Sequence, residues 1–361
     1  MLAVEMYGGI ALSSEMSQPE RIPQFLSPYL SDLSGLMAYY ADDLSICERL
    51  LVLFCDYAEQ FIVMLNHDQC VALFAASADL LKVYSAHHCA SRQIQRRSES
   101  TEASFEEEQS YNDVVCAIQL LIHLGTKDFI DVCAENVNAS SAPRVDSSQI
   151  TDIIFFGLQQ ILPLMTQGLL QYPVLCSKYF SLVGFMMDTY PEKACSLPND
   201  LFQTLIDSML FGMCHSDPFV SKNCLNGFKG LATEHLNSNA MSAQLAQQPQ
   251  MMDQIASRLL SDVVFQSLVW DRLEAAGMAL LPIIATDVNR FVALVNSMAQ
   301  KLRTAEQQQR LHSAFAKLVN PDLIKGVQNG LKGFEARKVR MQFKHDFRIF
   351  VKEVHSFLIM K

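Results

Sequence analysis

DLSICERLLVLFCDYAEQFIVMLNHDQCVALFAASADLLKVY, residues 43–84, decides the fold. Leu44, Cys47, Leu50, Leu51, Phe54, Tyr57, Ala58, Phe61 and Met64 recur at the i, i+3, i+4, i+7 spacing of one apolar helix face. His67-Asp68 interrupts that pattern, which resumes through Val71, Phe74, Ala78, Leu81 and Tyr84. Two helices joined by so short a turn run antiparallel, so the stretch reads as a helical hairpin.

The same design returns on the C-terminal side. Asp113–Leu124 is expected to pair with Lys127–Cys133, and Ser148–Leu162 with Val174–Thr189 beyond a turn closed by Pro173. Asn199 is read as the cap of a helix through Leu201, Leu205, Met209 and Met213, whose partner opens at Asp217-Pro218. Met251–Trp270 with Leu273–Ile284, Asp287–Leu302 with Ala305–Leu318, and a final helix over Glu335–Ile359 complete the series. Helix starts near 148, 199, 250 and 287 are about 37 to 51 residues apart, straddling the roughly 40–47-residue period of HEAT and armadillo repeats.

The expected fold is therefore all-α, an α-solenoid of HEAT-like antiparallel helix hairpins wound as a superhelix, with a globular bundle as the alternative. Residues 1–42 read as an irregular, partly helical start, because three prolines interrupt Gln18–Pro28. The hairpin at 43–90 is followed by a charged, flexible loop at 91–109 and by repeats over 110–361. A second loop is expected at 134–148, with the basic terminal helix at 335–359. Gln244–Gln250, around Pro249, reads as a connection between helices.

Composition narrows the function. Half of the chain is apolar and 18% is charged, so most of it must pack. The formal charge of −10 disfavours nucleic-acid binding, which needs clustered Lys and Arg. From Lys325 to Lys361, nine basic and three acidic residues give +6, so the preceding 324 residues carry −16. Ten cysteines stand singly without a CxxC, as expected for buried, reduced thiols. Met1–Leu12 lacks the basic n-region of a signal peptide, and no stretch approaches the roughly 20 apolar residues of a membrane span. A soluble, intracellular chain is expected.

No motif supports catalysis: a nucleophile elbow, P-loop, GxGxxG, HExxH and DxDxDG are all missing. Neither a catalytic, cofactor nor metal site is expected. His87-His88-Cys89 reads as a polar helix end, since adjacent helical side chains diverge by about 100° and could not converge on one ion. Asn138-Ala-Ser140 has the form of a glycosylation sequon, which an intracellular chain does not present to that machinery. The terminal helix carries Arg337, Lys338, Arg340, Lys344 and Arg348 around a stripe of Phe343, Phe347, Phe350, Val351, Val354 and Phe357. It reads as the polar cap of a repeat array and as a candidate contact for an acidic partner.

Three stretches carry a family resemblance: Tyr111-Asn-Asp-Val-Val-Cys-Ala-Ile-Gln-Leu-Leu121 with Lys127-Asp-Phe-Ile-Asp131, Ile161-Leu-Pro-Leu-Met-Thr-Gln-Gly-Leu-Leu-Gln-Tyr-Pro173, and Tyr190-Pro-Glu-Lys193 with Leu197-Pro-Asn-Asp-Leu-Phe202. They resemble the C-terminal region of the exportin-4 branch of the importin-β superfamily. The similarity is dense from about 109 to 235 and continues mainly as helix pattern. It implies a HEAT-repeat receptor that binds protein cargo together with Ran–GTP and crosses the nuclear pore by touching Phe-Gly nucleoporins. Implied cargoes are the hypusine-bearing translation factor five-A and Smad-type signalling proteins. Members of the family are longer, so the resemblance makes this chain a distal piece or short form without the principal Ran contact. The alternatives are a helical-repeat scaffold of a cytoplasmic complex and, less favoured, an enzyme with a dispersed site.

Overall fold

Side-chain caps start several of the helices in the computed structural model, which describes residues 2–12, 20–89, 111–135, 147–330 and 333–358. Among the described residues there is no strand, and the chain is the all-α, helical-repeat solenoid class expected from its sequence. It divides into two compact units, Met1–Leu182 and Val183–Lys361.

The first unit contains α1 (Leu2–Leu12), α2 (Arg21–Leu26), α3 (Leu30–Tyr39), α4 (Leu44–Phe61), α5 (His67–Tyr84), α6 (Asn112–Glu135) and α7 (Ser147–Ile161). Asp43 accepts the Ser45 and Ile46 amides to start α4, and Asn66 with Gln69 forms a capping box at α5. Each cap satisfies backbone donors that a helix start leaves orphaned. Helices two apart in the chain pack side by side: α3 on α5, α5 on α7, and α4 on α6. That stacking joins one hairpin to the next, as in a repeat array. The predicted α4 stripe is buried from Cys47 to Phe61, while Leu44 and Met64 at its ends are exposed. Leu53 and Cys55 are buried as well, because α1 and α6 both lie against α4. Between α5 and α6, Tyr84 Oη donates to Asp113 Oδ2 at 2.8 Å.

The boundary between the units falls inside α8 (Pro173–Thr189). The second unit continues with α9 (Pro191–Cys195), α10 (Asn199–Met213), α11 (Pro218–Ser238), α12 (Ser242–Gln247), α13 (Met251–Arg258), α14 (Trp270–Thr286), α15 (Val288–Gln300), α16 (Ala305–Leu318), α17 (Pro321–Gln328) and α18 (Gly333–Leu358). The principal packing here is α11 on α14, with α10 on α11, α15 on α16 and α16 on α18. Glycines allow the closest crossing. A Cβ on Gly184 would come within 2.7 Å of the Asn223 carbonyl oxygen, and one on Gly230 would strike the Met187 carbonyl. Asn239, at φ 57°, ends α11 in the left-handed conformation. At the end of α10, the Met213 carbonyl accepts from Ser221 Oγ at 2.7 Å and Arg272 Nη2 at 2.9 Å.

Several boundaries differ from the sequence reading. Arg21–Leu26 is helical although Pro23 lies within it, since proline is tolerated in a first turn that has no intrahelical N–H bond to lose. α6 runs unbroken through Gly125, whose propensity cost of about 1 kcal/mol does not stop a helix. Asn199 is the first helical residue rather than a cap; Pro198 precedes it without a side-chain cap. Met251–Trp270 is not one helix: α13 passes into a π-turn at Leu259–Val264, and Trp270 begins α14. The Gln-rich connection contains α12, where Gln244 is buried and donates to the Leu197 carbonyl at 3.1 Å. The loop read at 91–109 and the sequon at Asn138 lie outside the described residues. So does 136–146 of the loop read at 134–148, whose ends belong to α6 and α7.

Candidate partner-binding surface

The α18 sequence places aromatic and β-branched residues at helical spacing, and all six of Phe343, Phe347, Phe350, Val351, Val354 and Phe357 are buried. Phe315 of α16 meets Phe350 with ring centroids 4.7 Å apart. Opposite Phe347, α14 carries Gly277, where a Cβ would come within 2.6 Å of the ring. Polar contacts fix the C-terminal end of α18. His355 Nε2 lies 2.7 Å from the Val264 carbonyl, which otherwise ends the π-turn. Arg310 donates to Ser356 Oγ at 2.7 Å and sits 4.6 Å from the centre of the Phe357 ring.

The five basic residues singled out from sequence separate into distinct environments. Lys344 is half-buried in an ion pair with Glu274 of α14. The Arg348 guanidinium stands 4.9 Å from the centre of the Trp270 ring, a cation–π geometry. Arg340 lines a groove of about 580 Å³, together with Ala336, Val339, Met278, Pro282 and the Lys229–Asp188 ion pair at 3.0 Å. Arg337 and Lys338 are exposed, and no carboxylate among the described residues pairs with them. Lys344 and Arg348 hold α18 in place, whereas Arg337 and Lys338 face solvent.

A second groove, about 690 Å³ and mostly apolar, lies between α15, α16 and α17. Phe291, Val295, Phe315 and Ile324 line it, with His312 and Lys325 among the polar residues. Sequence reasoning missed it because it missed α17. The available signal was Asn320-Pro321, whose side chain caps the Asp322 amide at 2.9 Å.

No group of three His, Cys, Asp or Glu side chains among the described residues could hold a metal ion. His87 Nδ1 lies 3.8 Å from Asp42 Oδ1, and the His88 ring lies tilted against Tyr84 with centroids 5.7 Å apart, so the two imidazoles have different neighbours. The described cysteines are unbridged and buried or half-buried. Burial pushes Cys116 and Cys195 up to about 12 and Cys47 up to about 11, suppressing the nucleophilic thiolate. No single helix among the described residues is long and apolar enough to cross a membrane.

Comparison with known families adds what geometry cannot. The family described as "CRM1 C terminal" matches residues 136–359, more than half of the chain and the whole of α7 to α18. This family consists of transport receptors and is not one of enzymes. The chain therefore belongs to the CRM1 C-terminal family, and is a C-terminal region of the exportin type within the importin-β superfamily.

Proposed function

We propose that the chain is the C-terminal part of an exportin of the exportin-4 branch. It binds protein cargo together with Ran–GTP, shuttles between nucleus and cytoplasm, and passes the pore through Phe-Gly nucleoporins. The carrying observation is the family match across 136–359 on a helical-repeat fold. The exportin-4-like stretches at 111–131, 161–173 and 190–202 support the finer branch. Neighbour-only packing lets such an array change curvature at modest cost, so that Ran–GTP and cargo can each favour the conformation the other binds. That coupling is reciprocal and typically about 1–3 kcal/mol.

The domain boundaries read from sequence, with the basic helix as the terminal module, belong to this proposal. The hypusine-bearing translation factor five-A is the proposed cargo, and Arg337, Lys338, Arg340, Lys344 and Arg348 mark the helix proposed to contact a partner. The test uses the natural gene product carrying a C-terminal tag, so that any upstream sequence is retained. It is captured from nuclear extract supplied with GTP-locked or GDP-loaded Ran. Recovery of factor five-A with GTP-locked Ran alone is the expected result. Equal recovery with both forms would instead favour the cytoplasmic scaffold, and recovery with neither would overturn the cargo assignment.

A further inference from the structure

At about 100° per residue, Arg337, Lys338, His345 and Lys352 fall within a 120° arc opposite the buried stripe of α18. Phe334, Met341 and Ile349 share that arc and are 76%, 59% and 50% exposed. The acids of α18, Glu335, Asp346 and Glu353, lie together on one flank. Asp346 accepts from Gln342 Nε2 at 2.9 Å, and Glu353 stands 4.0 Å from Lys317. No ion pair among the described residues engages Arg337, Lys338 or Lys352. The outer face is thus positive throughout and has large apolar side chains set among its cations.

A solvated cap requires the charges but not the three apolar residues. Aromatic, Met and Arg side chains together are the composition of a protein-interface core. Phosphate backbones would use the cations and leave the apolar groups idle. From Phe334 to Lys352 the face extends about 27 Å, or five helical turns.

We propose that this face docks an acidic amphipathic segment of another protein, about five turns long. Its carboxylates meet Arg337, Lys338 and Lys352, and its apolar side chains cover Phe334, Met341 and Ile349. The inference deepens the cargo-binding reading above by naming the partner's chemistry. Charge attraction speeds encounter and responds to salt, while the apolar contacts hold the complex.

The test measures fluorescence anisotropy of the full chain with an acidic helical peptide of about 18 residues. The peptide has leucines along one face and glutamates flanking them; a scrambled peptide of identical composition, a single-stranded RNA and phosphatidylserine vesicles are the comparisons. Preference for the patterned peptide is expected. An Arg337→Glu/Lys338→Glu/Lys352→Glu variant should lose at least about tenfold in affinity, and Phe334→Ser/Met341→Ser a comparable amount. These positions are exposed, and unchanged circular dichroism would show that the variants fold. Equal binding of both peptides, tighter binding of RNA or vesicles, or indifference to the substitutions would overturn the proposal. Ran is absent from this measurement, so its outcome is independent of the nucleotide test above.

Discussion

Buried polar groups make the sharpest demands at the scale of single residues. Tyr84 and Asp113 are both buried, and the hydroxyl donates to the carboxylate. Tyr84→Phe removes a donor from a group withdrawn from water and should cost about 1–3 kcal/mol in urea unfolding. His123 shows how the sequence can hide a titration. Its Nε2 stands 3.9 Å from Glu59 Oε2, beyond hydrogen-bond reach. Burial lowers its pKa despite the opposing pull of Glu59. The unfolded chain therefore binds this proton at higher pH than the folded one. Stability is full above the ordinary histidine value and falls as pH drops through about 6.5, by at most about 1.4 kcal/mol per pH unit for this group. Urea melts between pH 7 and 5.5 should show that slope, and His123→Gln should reduce it. His235, also lowered by burial, contributes with the same sign.

Helix crossings decide matters at the scale of elements. Gly230 lies within α11, where Gly→Ala ordinarily stabilises a helix by about 1 kcal/mol. Here the added Cβ would collide with the Met187 backbone carbonyl, which cannot swing aside as a side chain can. Gly230→Ala should therefore lower the thermal midpoint; an increase would show that α8 and α11 separate without cost. At the contact between α14 and α18, Phe347→Ala should cost about 3–5 kcal/mol, because the ring is buried over Gly277. The main apolar stripes were legible element by element, including nearly the whole extent of α18. Where α13 gives way to a π-turn, the apolar pattern ran on to Trp270 and concealed the break. Nothing in that local pattern registers the hydrogen bond from α18 to the Val264 carbonyl.

At the scale of the whole molecule, α18 covers its neighbours with a buried apolar face and turns a charged face outward. Deleting residues 333–361 would uncover Phe315, whose ring lies 4.7 Å from Phe350. A chain ending before Gly333 should bind a hydrophobic dye and scatter light at concentrations where the full chain does not. Unchanged solubility would count against a capping role.

Periodicity and composition by themselves determined an all-helical chain, its hairpin design and its lack of a recognisable catalytic motif, because apolar spacing and cap residues act locally. The basic character of α18 was equally legible. Only tertiary structure decided which cations are available: Lys344 is held by Glu274 and Arg348 by Trp270, while Arg337 and Lys338 face water. Those partners lie about 70 residues or more away in sequence, where helical spacing carries no information. The grooves beside α15 and α18 depend in the same way on side chains from several helices, so no single element's sequence contains them.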